Sequence, residues 1–291
     1  MSSLRPDDLA RQLKNLPASL EVLPRLMTLL RDDTASLDTV AALISMDQGL
    51  TARVLSMSNS AYYGGGAERS YNIQDAITRV GSIKVFELVS HAAGSQLLLR
   101  PLRTYGLEAA EVWRKSLSCA IAADLLGRRL DLEGQAAYAL GLLHLSGLVA
   151  LDMWNATRPA PIRLDRGQWP DESTAEEVAA FGFDNSAVAA ALMQRWRFSA
   201  ALAEAQGLQY QPLLAEPGGL AIACVLHVAK WLRDAAYLPE RHPLPPLPAE
   251  EVLSIVRMER SEIDLLRMEV RGDCDNAMQL LADIGDPNGP N

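Results

Sequence analysis

The sequence is poor in cysteine. Its 291 residues include three, Cys119, Cys224 and Cys274, which lie far apart and form no CxxC pair. This spacing predicts neither a disulfide framework nor a structural zinc site. The N-terminal stretch also lacks the apolar core of a secretory signal peptide. We therefore expect a reduced, cytoplasmic protein.

Clustered positive charge is missing as well. The chain carries 27 Lys and Arg against 36 Asp and Glu, a net charge of −9, and its arginines are scattered. Binding to nucleic acid or to an anionic membrane needs clustered cations, so we expect neither partner. A Gly-rich phosphate loop, a Rossmann fingerprint and a Ser–His–Asp arrangement are absent from the sequence too.

The period-two alternation of strands and internal repeats are also missing. Apolar residues instead recur at helical spacing, in segments separated by Gly and Pro. We therefore predict an all-α, multi-helix bundle. A break at residues 100–106 divides the bundle into two helical lobes.

Composition along the chain predicts its organisation. The predicted segments are an N-terminal helix (1–15), a main domain of 16–235 with two lobes (16–102 and 103–235), a proline-rich linker (236–248) and acidic C-terminal helices (249–291). The last segment has a net charge of −6. Because prolines interrupt regular structure and like charges repel, we expect this tail to be separable from the domain by proteolysis.

The most apolar stretch, residues 136–153, contains a single histidine, His144. Its length would suit a membrane span. Polar and glycine residues such as Ser146 and Gly147 interrupt it, however, and both flanks have the pattern of soluble helices. We therefore predict one buried core helix over residues 133–152, without membrane insertion.

Two stretches resemble a known family pattern. The first contains Ile44, Asp47, Leu50–Thr51, Arg53 and Asn59–Ser60–Ala61–Tyr62, followed by Ile73–Ile77 and Val80–Gly81. The second contains Trp113–Ser116, Gly141–His144, Phe181–Gly182 and Trp196. Together they resemble the HDOD-domain family over residues 16–235. Gln48 stands where the family pattern usually has proline.

The resemblance implies an all-helical bacterial signalling protein, a degenerate relative of the HD-domain metal phosphohydrolases. Those enzymes hold metal through a His, a His–Asp pair and a later Asp. At the matching positions this chain has Lys115, His144–Leu145 and Lys230, and Asn185 where a further His is common. A lysine ammonium cannot ligate a metal. We therefore expect no bound metal, no cofactor and no catalytic residue.

Two interpretations of these positions stay open. In one, His144 is a neutral core histidine with satisfied hydrogen bonds. In the other, Lys115, His144, Asn185 and Lys230 line a degenerate pocket that holds a small anion. The leading functional hypothesis is a non-enzymatic regulatory module that contacts other signalling proteins. The alternatives are a receptor for a nucleotide second messenger and a residual metal phosphohydrolase.

A second set of candidate residues lies in the first stretch. Asp47 and Asn59 are typical of helix caps or loop anchors. Tyr62 and Tyr63 stand beside three consecutive glycines, a composition that favours a loop. These four residues are a possible interaction loop, although packing of the two tyrosines against a neighbouring helix is an equally good interpretation.

Overall fold

A computed structural model describes residues 4–13, 17–32, 35–59, 70–132, 134–164, 174–238 and 244–285. Within these ranges the chain is helical, and its one strand-like contact is an isolated bridge between Leu102 and Leu107. The predicted all-α fold class is therefore confirmed. The predicted break at residues 100–106 is a turn, held by the Thr104 N–H, which donates to Asp152 Oδ1 at 2.7 Å. Residues 16–102 and 103–235 are called the first and second lobe below, and their division into separate lobes stays a prediction.

The helices follow one another with short connections. The first part of the chain forms α1 (Pro6–Gln12), α2 (Val22–Arg31), α3 (Leu37–Ser45), α4 (Gln48–Ser58), α5 (Ile73–Val80) and α6 (Ser82–Leu98). The second lobe contains α7 (Ala109–Arg129), α8 (Gly134–Leu142), α9 (Ser146–Asn155), α10 (Thr174–Phe181), α11 (Asn185–Arg195), α12 (Ala200–Gly207) and α13 (Pro217–Ala236). Two helices follow, α14 (Glu250–Ile255) and α15 (Ile263–Gly285).

Local sequence explains where many helices begin and end. Side chains of the kind favoured at N-caps accept a backbone N–H in the first turn of five helices. These caps are Ser36, Asp47, Asn72, Asp184 and Ser199. Gly81 and Gly182 end α5 and α10 with φ of 84° and 89°, a backbone conformation that glycine adopts without strain.

The apolar stretch around His144 forms the core of the second lobe. Residues Gly134–Asn155 are the one described stretch long and apolar enough to span a membrane, and 94% of its most apolar window is buried inside the fold. The prediction of a single helix over 133–152 is wrong, because α8 ends at Leu142 and α9 begins at Ser146. His144 therefore lies in a turn between two buried helices.

Two glycines bring neighbouring backbones close to this turn. A Cβ atom at Gly141 would lie 2.5 Å from the carbonyl oxygen of Cys119 on α7. A Cβ atom at Gly147 would lie 1.9 Å from the carbonyl oxygen of Asn185 on α11. Only glycine fits at such separations, so these positions set the packing of α8 on α7 and of α9 on α11.

The C-terminal helices pack on the second lobe, against α7 and α13. Their inward side chains are buried: Val252, Leu253, Val256, Met258, Ile263, Leu266, Val270, Cys274 and Ala277. This packing contradicts the expectation of a separable tail, because the charges lie on the outer faces and leave an apolar stripe to bury. The preceding linker is held as well, since Trp231 Nε1 donates to Pro246 O at 2.9 Å. Residues 239–243 of the linker lie outside the described residues.

Two adjacent leucines on α15 test this packing. Leu266 is fully buried and Leu265 is 67% exposed. We expect Leu266→Ala to lower the free energy of unfolding by about 2–5 kcal/mol, because it leaves a cavity against α7 and α13. Leu265→Ala, the matched control, should change it by no more than about 0.5 kcal/mol. Urea unfolding measures both, and equal small losses would mean that α15 does not pack as described.

Candidate functional site

The four positions taken from the family resemblance converge in the interior of the second lobe. Lys115 is on α7, His144 in the turn between α8 and α9, Asn185 at the start of α11, and Lys230 on α13. His144, Asn185 and Lys230 are each no more than 2% exposed. Helix α13 packs on α7 and α8, and α11 on α9, which brings the four side chains to one region.

Both ring nitrogens of His144 are hydrogen-bonded. Nδ1 lies 2.6 Å from the carbonyl oxygen of Gly141. A carbonyl can only accept, so Nδ1 carries the proton and Nε2 keeps its lone pair. The Arg233 guanidinium donates to that lone pair. Burial first, and then the Arg233 charge, hold the pKa of His144 well below its usual range, so the ring is neutral.

Asp234 pairs with two cations of this region, Arg233 and Lys115. It accepts from Arg233 Nε at 2.9 Å and from Lys115 Nζ at 3.1 Å. Burial alone would raise the pKa of Asp234, but Arg233 and Lys115 outweigh it and hold that pKa at about 2. Burial lowers the pKa of Lys115, and Asp234 opposes that shift. His144, Arg233, Asp234 and Lys115 are therefore one continuous ion network.

Asn185 and Lys230 belong to a second, adjoining group. The backbone N–H and Nδ2 of Asn185 donate to Glu177 Oε2 at 2.6 Å and 2.8 Å. Tyr210 donates its hydroxyl to Asn185 Oδ1 at 3.0 Å, and Lys230 Nζ lies 3.5 Å from the centre of the Tyr210 ring. Lys230 thus makes a cation–π contact in a buried setting. Its charge also contributes to the lowered pKa of His144, which places the two groups side by side.

This donor set does not suit the metal ions of HD-domain enzymes. The His144 lone pair that a metal would need is occupied by Arg233, and Asp234 is bound to two cations. Across the ranges that the structure describes, no three His, Cys, Asp or Glu residues are placed to share a metal ion. A divalent ion here would also face the positive charges of Lys115, Lys230 and Arg233. We derive no metal-dependent step for this site.

Several residues of the network were missed by sequence reasoning. Arg233 and Asp234 lie three and four residues after Lys230, so the helical repeat places them one turn further along α13, on the same face. That spacing could have indicated them. Glu177 and Tyr210 carry no comparable signal, because their contacts with Asn185 depend on how α10 and the turn after α12 pack on α11.

The residues of the predicted interaction loop lie in the first lobe. Asp47 caps α4 by accepting the Leu50 N–H at 3.0 Å. The Asn59 amide donates to Ser70 O at 2.9 Å and accepts the Ser70 N–H at 2.8 Å. Asn59 therefore joins the two ends of the segment 60–69. Tyr62 and Tyr63 fall within that segment and lie outside the described residues, so an interaction loop stays a prediction.

Solved structures share this fold at low sequence identity. A Shewanella amazonensis SB2B protein, named as a candidate phosphohydrolase, matches with a TM-score of 0.67 and 21% identity over 96% of this chain and 99% of its own. A Marinobacter aquaeolei VT8 protein, named as a candidate signal-transduction protein, matches with a TM-score of 0.67 and 19% identity over 98% of this chain and 62% of its own.

A third structure carries a family name. It is an HDOD domain protein of unknown function from Geobacter sulfurreducens, with a TM-score of 0.60 and 21% identity over 96% of this chain and 97% of its own. No curated protein matches the sequence. The family model for the HDOD domain matches residues 16–212, more than half of the chain. The chain therefore belongs to the HDOD domain family.

Proposed function

We propose that this protein is a non-enzymatic regulatory module of signal transduction that acts in the cytoplasm by contacting other proteins. The observation that carries the proposal is the Arg233 guanidinium on Nε2 of His144. The one metal-ligating side chain that remains from the HD pattern is used for internal packing. A hydrolase built on this site would have to break a buried ion network before it could bind metal.

The family and the structural relatives support a regulatory role. The match to the HDOD domain identifies a degenerate HD fold. The Marinobacter relative is named for signal transduction, which agrees with the proposal. The Shewanella relative is named for phosphohydrolysis. For this chain the chemistry of the ligand positions opposes such an activity, because two of them are lysines, Lys115 and Lys230.

The outer face of α15 supplies a surface for partner contact. Leu265 and Met268 are 67% and 73% exposed and stand three residues apart, so they lie on the same face of the helix. Asp264 and Glu269 flank them. The chemistry of this surface suits a protein partner with an apolar groove and a basic rim.

A capture experiment tests this function. We expect the intact protein, cross-linked in its native cell, to recover a defined signalling partner. The double variant Leu265→Glu, Met268→Glu should lose that partner, because it places two charges in the apolar contact. Leu214→Glu is the matched control, since Leu214 is 67% exposed away from α15. Equal recovery with all three proteins, or no specific partner with the wild type, would contradict the proposal.

One observation favours the alternative, a receptor for a small anion. Three cations, Lys115, Lys230 and Arg233, lie in this one region of the fold, and such a concentration of positive charge is what an anion site needs. Against this alternative, Lys115 and Lys230 already make internal contacts with Asp234 and Tyr210. A thermal shift with nucleotides that disappears in both Lys115→Ala and Lys230→Ala would establish the receptor and displace the contact model.

A further inference from the structure

A cavity of about 300 Å³ opens where α6 of the first lobe meets α7 and α8 of the second. Phe86 and Tyr138, 1% and 5% exposed, form its apolar floor. The carboxylates of Glu87 and Asp124 line its walls. The residues that line it are distinct from those of the ion network around His144, so it is a second place where the fold could hold a ligand.

The two carboxylates lie deeper than the cations that pair with them. The side chains of Glu87 and Asp124 are 16% and 19% exposed. Their partners reach in from the surface: Lys84, 50% exposed, contacts Glu87 at 2.8 Å, and Arg128, 62% exposed, contacts Asp124. Ion pairs with such exposed cations contribute little to stability, so either cation can exchange with another positive group.

Burial disfavours the charged form of both carboxylates, although Lys84 and Arg128 pair with them. Burial raises the pKa of Glu87, and the neighbouring Asp124 charge adds to that increase. Burial likewise raises the pKa of Asp124 despite its contact with Arg128. A cation placed between the two carboxylates would offset both effects.

Gly134 lets the Asp124 carboxylate approach the start of α8. It is the first residue of α8, and a Cβ atom there would lie 2.6 Å from Asp124 Oδ1. A larger residue would require this carboxylate, the end of a flexible side chain, to shift. The present position of Asp124 on the cavity wall is therefore matched to glycine.

We propose that this cavity binds a small organic cation, an ammonium group carried on an apolar or aromatic frame. The ammonium lies between Glu87 and Asp124 and makes charge-assisted hydrogen bonds with them. The frame packs on the apolar lining, to which Ile83, 56% exposed, offers more surface than the nearly buried Phe86 and Tyr138. An apolar cavity with a few convergent polar groups is the usual form of a small-molecule site.

A ligand in this cavity would contact both lobes. Tyr138 on its floor is hydrogen-bonded through its hydroxyl to His91 Nε2, and the His91 ring lies edge-on to Trp113 at 5.9 Å between centroids. Trp113 is two residues before Lys115 on α7. The cavity is thus connected by packed side chains to the helix that carries the ion network. The binding proposal itself does not depend on the proposed regulatory function.

Isothermal titration calorimetry on the full chain tests the proposal with three probes of one shape. We expect phenethylamine to bind, and its neutral and anionic analogues, 2-phenylethanol and phenylacetate, to bind at least about tenfold more weakly, because they lack the positive charge. This comparison uses the wild-type protein and needs no variant to fold. Absence of phenethylamine binding, or equal binding of the alcohol, would overturn the proposal.

Isosteric variants locate the site. Glu87→Gln and Asp124→Asn should each weaken phenethylamine binding about tenfold, since each removes one charge-assisted contact. Glu250→Gln is the matched control, because Glu250 is 76% exposed on α14, and it should bind like the wild type. Circular dichroism establishes that the variants fold. Unchanged affinity in both cavity variants would place the amine elsewhere and refute this site.

Discussion

Replacing Asp234 with asparagine is expected to lower the free energy of unfolding by about 3–5 kcal/mol. Asp234 is 7% exposed and pairs with Arg233, 1% exposed, and Lys115, 13% exposed. An amide has nearly the same shape but no charge, so Arg233 and Lys115 lose the buried carboxylate that they share, and the longer contact of Lys115 with Glu111 at 3.9 Å does not replace it. Removing one member of a buried ion network costs far more than the network contributes as a whole.

The matched control for stability is Asp264→Asn. Asp264 also pairs with an arginine, Arg267, at 3.0 Å, but it is 86% exposed. We expect this change to alter stability by no more than about 0.5 kcal/mol, because exposed pairs are weak. Urea unfolding at neutral pH measures both variants. Equal, small losses would show that Asp234 is solvated and that the ion network does not form.

Acid should weaken the wild-type protein through the same network. The pKa of Asp234 is about 2 in the folded protein and about 3.9 in an unfolded chain. Its contribution is therefore fully present above the unfolded pKa and is lost as the pH falls through the folded pKa. The pKa of His144 is also lowered, so protonation of the unfolded chain below about pH 6.5 adds to the loss. Asp234→Asn should remove the Asp234 part of this dependence.

Adding one methyl group at Gly147 should lower the free energy of unfolding as much as removing the charge of Asp234. The Cβ of Gly147→Ala would lie 1.9 Å from the backbone oxygen of Asn185, which cannot rotate away. Overpacking of a core commonly costs about 1–3 kcal/mol, and a backbone collision exceeds that range because α9 and α11 must separate. The separation would also displace Asn185 from Glu177. We expect a loss of about 3–5 kcal/mol in urea unfolding.

Gly272 offers a matched control for that substitution. It lies within α15, and a Cβ atom there would meet nothing within 4 Å. Gly272→Ala should stabilise the protein by about 0.5–1 kcal/mol, because alanine favours the helix and restricts the unfolded chain. If Gly147→Ala were similarly harmless, the close approach of α9 and α11 would be incorrect, and with it the position of Asn185.

The fold could be predicted wherever an apolar stripe or a cap marks a helix. A segment with a clear polar face, such as α7 (Ala109–Arg129), shows its helical extent in the spacing of its apolar residues. The stretch around His144 lacks a polar face. Its hydrophobic pattern therefore has no helical periodicity and does not reveal the turn at Leu143–Leu145. The two close backbone approaches at Gly141 and Gly147 depend on tertiary packing, which no local pattern contains.

The site could be predicted only in part. The resemblance to the HDOD family indicated which four positions to inspect, because it supplied the alignment to the HD pattern. The ion network at the position of the HD metal site joins charged side chains from segments far apart in the sequence, such as Lys115 on α7 and Asp234 on α13. The sequence alone does not show that they meet. The acidic tail was misjudged for a related reason. Net charge describes the whole segment, whereas packing depends on the buried stripe that includes Leu266 and Val270.

The ring nitrogens of His144 test the central claim most directly. Nitrogen-15 NMR of labelled histidine distinguishes the two neutral tautomers and the charged ring. The structure predicts that His144 stays neutral, with its proton on Nδ1, from pH 8 to below pH 6, and that added Zn²⁺ or Mn²⁺ leaves its signals unchanged. His144→Ala assigns the resonance. A ring that titrates at its usual pKa, or an Nε2 signal that moves or broadens when metal is added, would contradict the account.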